Sequence, residues 1–277
     1  MCYNINDYTK VEKYVMAKFE GKKRIVVKVG TSTLTHATGK TNIARMAKLV
    51  SVLSDLKNEG HEIVLVSSGA VGIGAAKLGF SSKPETTQGL QASAAVGQCE
   101  LMFLYDKMFS EYGVVVSQLL CTADTLANPD EKNHLIDTFN QLLDYGALPI
   151  VNENDSVYVE ELLNGDNDCL SANVAVLINA DLLIMLTDTD GLYDDNPKKN
   201  ENAKLISTVD KIDEAVYSIA GGAGEKGTGG FLTKIKAADI ATTAGISTIV
   251  MNGEKPTSIY KVLSGESIGT YFKAKGE

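Results

Sequence analysis

Ala147-Leu148-Pro149-Ile150-Val151-Asn152-Glu153-Asn154-Asp155 runs from an apolar segment straight into consecutive carboxylates and amides, and Gly165-Asp166-Asn167-Asp168 repeats the polar density shortly afterwards. A short apolar run of this kind fits a strand buried on both faces of a parallel sheet. So many polar groups, left unpaired, cannot sit inside a strand, which places both sets in loops where something polar meets them. In parallel α/β sheets, ligands bind at the loops beyond the carboxyl ends of strands. Asn, Asp and Gly are equally ordinary turn residues, so this segment alone does not separate a binding site from two solvated turns. Two lysine-bearing loops elsewhere in the chain tip the balance towards a site.

The strand candidate here is 147–152, and the same apolar pattern recurs at 24–29, 62–67, 113–119, 181–187 and 247–251, with helical segments between at 42–58, 90–112, 131–144, 170–179, 211–220 and 233–244. Short apolar strands alternating with amphipathic helices predict an α/β fold with a mainly parallel central sheet sandwiched between helices. Segments 157–162 and 204–208 are candidates for edge strands. The run 101–105 with Phe109 is rich in large apolar groups and is expected in the core rather than at an interface. Residues 1–22 precede the first strand and read as an N-terminal arm. Residues 23–277 read as a single domain, because no Pro- or Ser-rich linker and no repeat divides them.

The chain has 277 residues, 44% apolar and 22% charged, with a formal charge of −9. That charge argues against nucleic acid or an anionic membrane as the main partner. No apolar stretch reaches membrane-spanning length, and the N-terminus lacks the pattern of a secretory signal. Cys2, Cys99, Cys121 and Cys169 form no C-x-x-C pair, which suits a reduced cytoplasm. The three histidines are scattered, so a tight transition-metal site is not expected.

Two lysines sit where an anion could be held. Val27-Lys28-Val29-Gly30-Thr31-Ser32 ends the first strand with a lysine followed at once by glycine. Thr228-Gly229-Gly230-Phe231-Leu232-Thr233-Lys234 precedes a helix expected to open at Thr233, combining open backbone, helix dipole and a full positive charge. The glycine cluster at 221–230 is expected to be a mobile loop rather than a domain boundary. No Walker A motif is present, because Leu34 stands where Gly39-Lys40-Thr41 would need a glycine. Gly222-Ala223-Gly224-Glu225-Lys226-Gly227 matches a dinucleotide fingerprint by letter but follows a helix. The run Ser67-Ser68-Gly69-Ala70-Val71-Gly72-Ile73-Gly74 follows a strand but has Lys77 in place of the third glycine. A calcium loop beginning at Asp166 fails at Leu170 and Ser171.

Lys28-Val29-Gly30-Thr31-Ser32, Ser67-Ser68-Gly69-Ala70, Asn152-Glu153-Asn154-Asp155, Gly165-Asp166-Asn167-Asp168, Thr187-Asp188 with Gly191-Leu192-Tyr193, and Gly227 through Lys234 stand in an order that resembles the amino acid kinase family. Within that family they are most similar to the members that phosphorylate the γ-carboxylate of L-glutamate, over about residues 24–272. The resemblance implies a three-layer α/β/α fold, with residues 23–165 binding the acceptor and 166–277 the nucleotide. It implies that Ser68, Asp155 and Asn167 hold glutamate, and that Glu153 and Asn154 shape its pocket. Lys28, Thr187, Asp188, Thr228, Gly229, Gly230, Phe231, Leu232, Thr233 and Lys234 would bind ATP. Lys28, Lys234 and Asp168 would be catalytic, with Mg²⁺ on the ATP oxygens and Asp166 a candidate near metal or substrate. Cytoplasmic location, homo-oligomer formation, feedback inhibition by proline and a downstream glutamyl phosphate reductase are further implications. Many relatives carry an added C-terminal PUA domain, for which this chain leaves no room, and Ser67 stands where they often have Thr.

Three alternatives accompany this reading. The acceptor could be uridylate, aspartate, N-acetylglutamate or carbamate. A phosphate-bearing acceptor calls for arginine forks, and the only arginines, Arg24 and Arg45, lie outside the motif loops. A non-catalytic amino-acid sensor would be expected to have lost Lys28 or Lys234, and a nicotinamide oxidoreductase would need a strand-led glycine fingerprint.

Overall fold

A computed structural model describes residues 19–36, 40–157, 167–221 and 229–277 of the chain. The arm at its first eighteen positions, most of the 157–162 strand candidate, Gly165, Asp166 and the loop from Gly222 to Thr228 lie outside the described residues.

The described strands form one eight-stranded sheet: β1 (Arg24–Val29), β2 (Glu62–Ser67), β3 (Val116–Cys121), β4 (Leu148–Glu153), β5 (Leu182–Thr187), β6 (Thr208–Val209), β7 (Ser247–Asn252) and β8 (Thr270–Phe272). Their order is β3-β4-β2-β1-β5-β7-β8-β6. All pairs from β3 across to β7 are parallel; β8 runs antiparallel to β7, and β6 pairs parallel with β8. Both β1 and β2 keep the expected bounds, because their centres are β-branched and aliphatic and buried on both sides, Lys28 being the one buried charged residue in β1.

The described helices are α1 (Thr31–Leu34), α2 (Ile43–Asn58), α3 (Ala70–Lys77), α4 (Thr87–Ser110), α5 (Ala123–Ala127), α6 (Pro129–Asp144), α7 (Asn167–Leu177), α8 (Glu214–Gly221), α9 (Gly229–Thr243) and α10 (Ser258–Leu263). They cover both faces of the sheet, giving the expected three layers. Strand residues alternate between the faces. Ile25, Val27 and Val29 pack with buried side chains of α2, α4 and α10. Val26, Val64 and Met185 pack with those of α6, α7 and α9. Leu101, Tyr105 and Phe109 of α4 are fully in the core, whereas Phe103, on the opposite side of that helix, is exposed.

Several elements depart from the sequence expectation. α3 forms where only a glycine run stood out. Its backbone, and that of α4, approach so closely that a Cβ on Gly74 would come 1.8 Å from the Ser93 carbonyl oxygen, and one on Gly97 would come 1.7 Å from that of Ala70. These glycines serve helix packing, not anion binding. The last described helix before β7 opens at Gly229 instead of Thr233, so Lys234 projects from its second turn. The element expected at 211–220 starts at Glu214, with Asp213 accepting from the backbone N–H groups of Ala215 and Val216. β3 sits two to three residues later than expected, and the candidate at 204–208 reduces to an isolated bridge between Tyr193 and Leu205 followed by β6.

The carboxyl ends of β1, β2, β4, β5 and β7 share one edge of the sheet. The chain leaves β1 towards β2 on one side, and β5 returns to the other side of β1. That reversal opens a crevice at the ends of these strands, and α7 packs across β1, β2, β4 and β5 with its first turn at the same edge. The close crossing predicts that Gly97→Ala lowers the unfolding free energy by about 1–3 kcal/mol, since the added methyl must push two backbones apart. Urea melts check this; Ala92→Ser, at an exposed site of the same helix, is expected within about 0.5 kcal/mol of wild type.

Candidate active site

Alternation along β1 puts Lys28 on the face of Val26, beneath α7 and α9. The Lys28 ammonium lies 2.5 Å from Asp168 Oδ1, and the Lys234 ammonium 2.8 Å from Asp168 Oδ2. Thr233 Oγ1 donates to the same Oδ2 at 2.9 Å. Lys28 is 5% exposed, Lys234 9% and Asp168 1%. Burial alone would raise the carboxyl pKa, but the adjacent Lys28 and Lys234 ammoniums outweigh it and hold Asp168 well below the usual carboxylate range. Two lysines distant in sequence therefore meet on one carboxylate. Among the described contacts, two ammoniums meet on one carboxylate, which brings positive charge to this edge of an acidic chain, where a further anion could be received.

A second constellation lies beside it. The Asn167 side-chain amide donates to Asn152 Oδ1 (2.7 Å), Ser68 Oγ (3.0 Å) and the Ser67 carbonyl oxygen (3.3 Å). Asn152 Nδ2 in turn donates to Gln98 Oε1 on α4 at 2.8 Å. Ser67 Oγ pairs with the Tyr105 hydroxyl at 2.9 Å; burial holds that phenol well above its ordinary pKa, so it stays neutral. Asn152 lies in the strand, as the 147–152 candidate has it, and the loop expectation is corrected for Glu153, Asn167 and Asp168. Asn152 and Glu153 are the last residues of β4, Asn167 and Asp168 open α7, and all four are buried. A strand end tolerates them because the amides satisfy one another and Asp168 is paired with lysine.

Asn154 and Asp155 follow β4 and are half-buried, with the Asn154 N–H donating to the Cys121 carbonyl. Glu153 is 4% exposed. Burial, and secondarily Glu153, push the Cys121 thiol up to about 12, which leaves it without nucleophilic character.

On the other side of β1, Thr187 is buried at the end of β5 and Asp188 is exposed, with Lys198 3.5 Å away. The backbone N–H of Gly253 donates to the Thr187 carbonyl at 2.8 Å. A Cβ on Gly253 would meet Thr33 at 2.9 Å, so the loops after β1, β5 and β7 interlock there. Arg45, outside every motif in sequence, reaches the Ser32 and Thr33 carbonyls at 3.4 Å and Glu254 at 3.2 Å. A Cβ on Gly30 would stand 3.6 Å from the Lys28 ammonium, so its absence keeps that side of the cation open. Gly229 and Gly230 form the first turn of α9, with Phe231, Leu232 and Thr233 half-buried behind them. Asp166 and Thr228 lie outside the described residues.

Gln98, Tyr105, Asn152 and Arg45 were not selected as site residues from sequence. A signal for Gln98 was present: it shares the sheet-facing side of a helix with Leu101 and Tyr105, where a polar residue needs a buried partner.

A family model described as the amino acid kinase family matches residues 23–252. The chain is 52% identical over 258 residues to the glutamate 5-kinase of Clostridium perfringens, covering 91% of this chain and 96% of that one. It is 50% identical over 267 residues to the glutamate 5-kinase of Clostridium acetobutylicum, covering 96% and 98%. Among solved structures it resembles an isopentenyl phosphate kinase of T. acidophilum (TM-score 0.62, 19% identity, 90% of this chain and 100% of that one). It also resembles a UMP kinase from Bacillus anthracis (TM-score 0.60, 17% identity, 93% and 98%). At those identities the solved structures establish the fold alone.

Asp168→Asn would remove the carboxylate that two buried ammoniums share and is expected to lower stability by about 3–5 kcal/mol at neutral pH. A carboxyl whose folded pKa is depressed stabilises fully above its unfolded pKa, and that stabilisation is lost as pH falls towards the folded value. The gap between wild type and variant should therefore hold above about pH 5 and narrow below about pH 4 in urea melts.

Proposed function

The chain belongs to the amino acid kinase family, and from that premise we propose that it transfers the γ-phosphoryl group of ATP to the γ-carboxylate of L-glutamate, the first step of proline synthesis. The observation that carries the chemistry is the meeting of Lys28 and Lys234 on Asp168 beside a small pocket of buried amides. The near full-length similarity to glutamate 5-kinases supports glutamate as acceptor.

The γ-carboxylate, with an unperturbed pKa of about 4.3, is already an ionised nucleophile at neutral pH, so no general base is needed. The obstacle is repulsion between two anions and the charge spread over the phosphoryl oxygens in flight. In this reading Lys28 and Lys234 flank that group, and Asp168 aims both ammoniums. The carboxylate oxygen attacks the γ-phosphorus in line as the bond to the β–γ bridging oxygen breaks, giving ADP and L-glutamyl 5-phosphate. Ser68, Asn167 and Asp155 would hold glutamate, with Asp155 facing its ammonium and Glu153 and Asn154 shaping the pocket. Thr187, Asp188 and residues 228–234 would hold the nucleotide, the half 166–277 being its side and 23–165 the acceptor side.

Among the described residues no three His, Cys, Asp or Glu side chains gather into a metal cage. Mg²⁺ prefers phosphate oxygens and water as ligands, and in this reading it would arrive on ATP, with Asp166, outside the described residues, a candidate beside it. When bound, it neutralises charge on the β- and γ-phosphates. No described helix is long and apolar enough to cross a membrane. We extend the reading to a cytoplasmic homo-oligomer, with proline as feedback inhibitor and a glutamyl phosphate reductase consuming the unstable acyl phosphate.

A uridylate acceptor is disfavoured by the arginines. Arg24 pairs with Glu62 where β1 and β2 begin, at the edge opposite the site, and Arg45 is engaged with Glu254 and the loop after β1.

Incubation with ATP, Mg²⁺, glutamate and hydroxylamine is expected to yield the γ-hydroxamate; a hydroxamate only with another acid would replace glutamate as acceptor. Lys234→Ala is expected to lower kcat by about 10²–10³-fold, the scale of a lost transition-state contact, with a much smaller change in the KM for glutamate. Normal turnover would remove Lys234 from the phosphoryl site.

A further inference from the structure

The polarity of the buried amide chain can be worked out from one fixed point. The Ser67 carbonyl is a backbone acceptor and nothing else, so Asn167 must turn its NH₂ towards it. That same NH₂ donates to Ser68 Oγ and Asn152 Oδ1, which requires Asn152 to point its own NH₂ the other way. There, on α4, the partner is Gln98 Oε1 at 2.8 Å. The chain is head-to-tail and ends at Gln98. Because the described bonds of Asn167 all use its nitrogen, its carbonyl oxygen is the atom it has to offer a ligand.

We propose that Gln98 is a positioning residue for the acceptor amino acid, acting through Asn152 on Asn167 and Ser68. This rests on the assignment of that pocket to the acceptor. Asn152 is only 2% exposed, so without the Gln98 oxygen its NH₂ would lack a partner and the side chain would gain by turning to find one. Turning it withdraws the oxygen that orients Asn167. Asn167 would then present its NH₂ less firmly to Ser67 and Ser68 and its carbonyl oxygen less firmly to the substrate. An acceptor oxygen at that point suits a free ammonium group. Gln98 thereby favours α-amino acids over acids that lack a cationic amine. The helix that carries it is held in register by the backbone contact of Gly97 on Ala70 and by the Tyr105–Ser67 bond, so the Gln98 oxygen arrives from a rigid support.

Two substitutions separate a hydrogen-bonding role from packing. Gln98→Met keeps the volume and removes the acceptor; Gln98→Ala removes both, and a half-buried helical site accepts Ala. Steady-state kinetics in glutamate and ATP, with thermal midpoints, are measured for both. The expected result is a rise in glutamate KM of about five-fold or more in both variants, the scale of one net hydrogen bond, with ATP KM and thermal midpoint unchanged. In an Asn152→Ala background, adding Gln98→Met should change glutamate KM no further. The proposal is overturned if glutamate KM is unaltered, if only Gln98→Ala alters it, or if the Gln98→Met effect survives in the Asn152→Ala background. Wild-type acceptor preference is determined first. If glutamate is not phosphorylated, the functional reading fails, and the Gln98 comparison is run with whichever acid is the acceptor.

Discussion

One buried carboxylate holds the site together. Asp168 accepts Lys28 on one oxygen and Lys234 on the other, joining the end of β1, the first turn of α7 and the second turn of α9. Buried charges are costly unless paired, so this contact fixes where three elements meet. Its position also follows from the topology: β1 is central, the chain turns to opposite sides of it on either side of α7, and the resulting crevice is where cationic groups can reach a ligand. In an acidic chain, positive potential has to be built locally, and bringing two ammoniums to one strand edge is a way to do so.

The amide chain next to it applies the same logic without net charge. Asn152, Asn167 and Ser68 are tolerated near the sheet because each has a partner, and the sequence of partners leads out of the pocket to α4. That helix can lie close enough only because Gly74 and Gly97 let it touch α3 backbone to backbone. Packing behind the amide cluster and geometry at its front are thus coupled through one helix. On the other side of β1, Gly253 allows a similar close approach, locking the loops after β1, β5 and β7 under the tie made by Arg45.

Much of this was legible in sequence where the physical signal was local. The bounds of β1 and β2 were recovered because the aliphatic stretches at 25–27 and 63–66 have only one comfortable setting between two helical layers. The convergence of Lys28 and Lys234 could be anticipated from glycine-flanked lysines in family order, and the geometry brings them together. What stayed hidden depended on partners far along the chain. α3 was missed because Gly72 and Gly74 are poor helix formers, and only the neighbouring α4 explains them. The start of α9 was obscured by the glycine pair at 229–230. α10 and β8 are too short to display a period. The strand was expected to end at Asn152 and Glu153 to lie in the loop beyond, because pairing among buried polar groups, invisible from one segment, is what lets a strand end in them.

The central claim is that both ammoniums gathered on Asp168 face the phosphoryl group as it is transferred. A crystal structure with ADP, Mg²⁺, glutamate and an aluminium fluoride mimic of the phosphoryl group tests it most directly. The account predicts the Nζ atoms of Lys28 and Lys234 both within hydrogen-bonding reach of the fluoride ligands, about 3 Å, with Asp168 still holding their other sides. A mimic bound with either lysine turned away from it, or seated away from Asp168 altogether, would contradict the account.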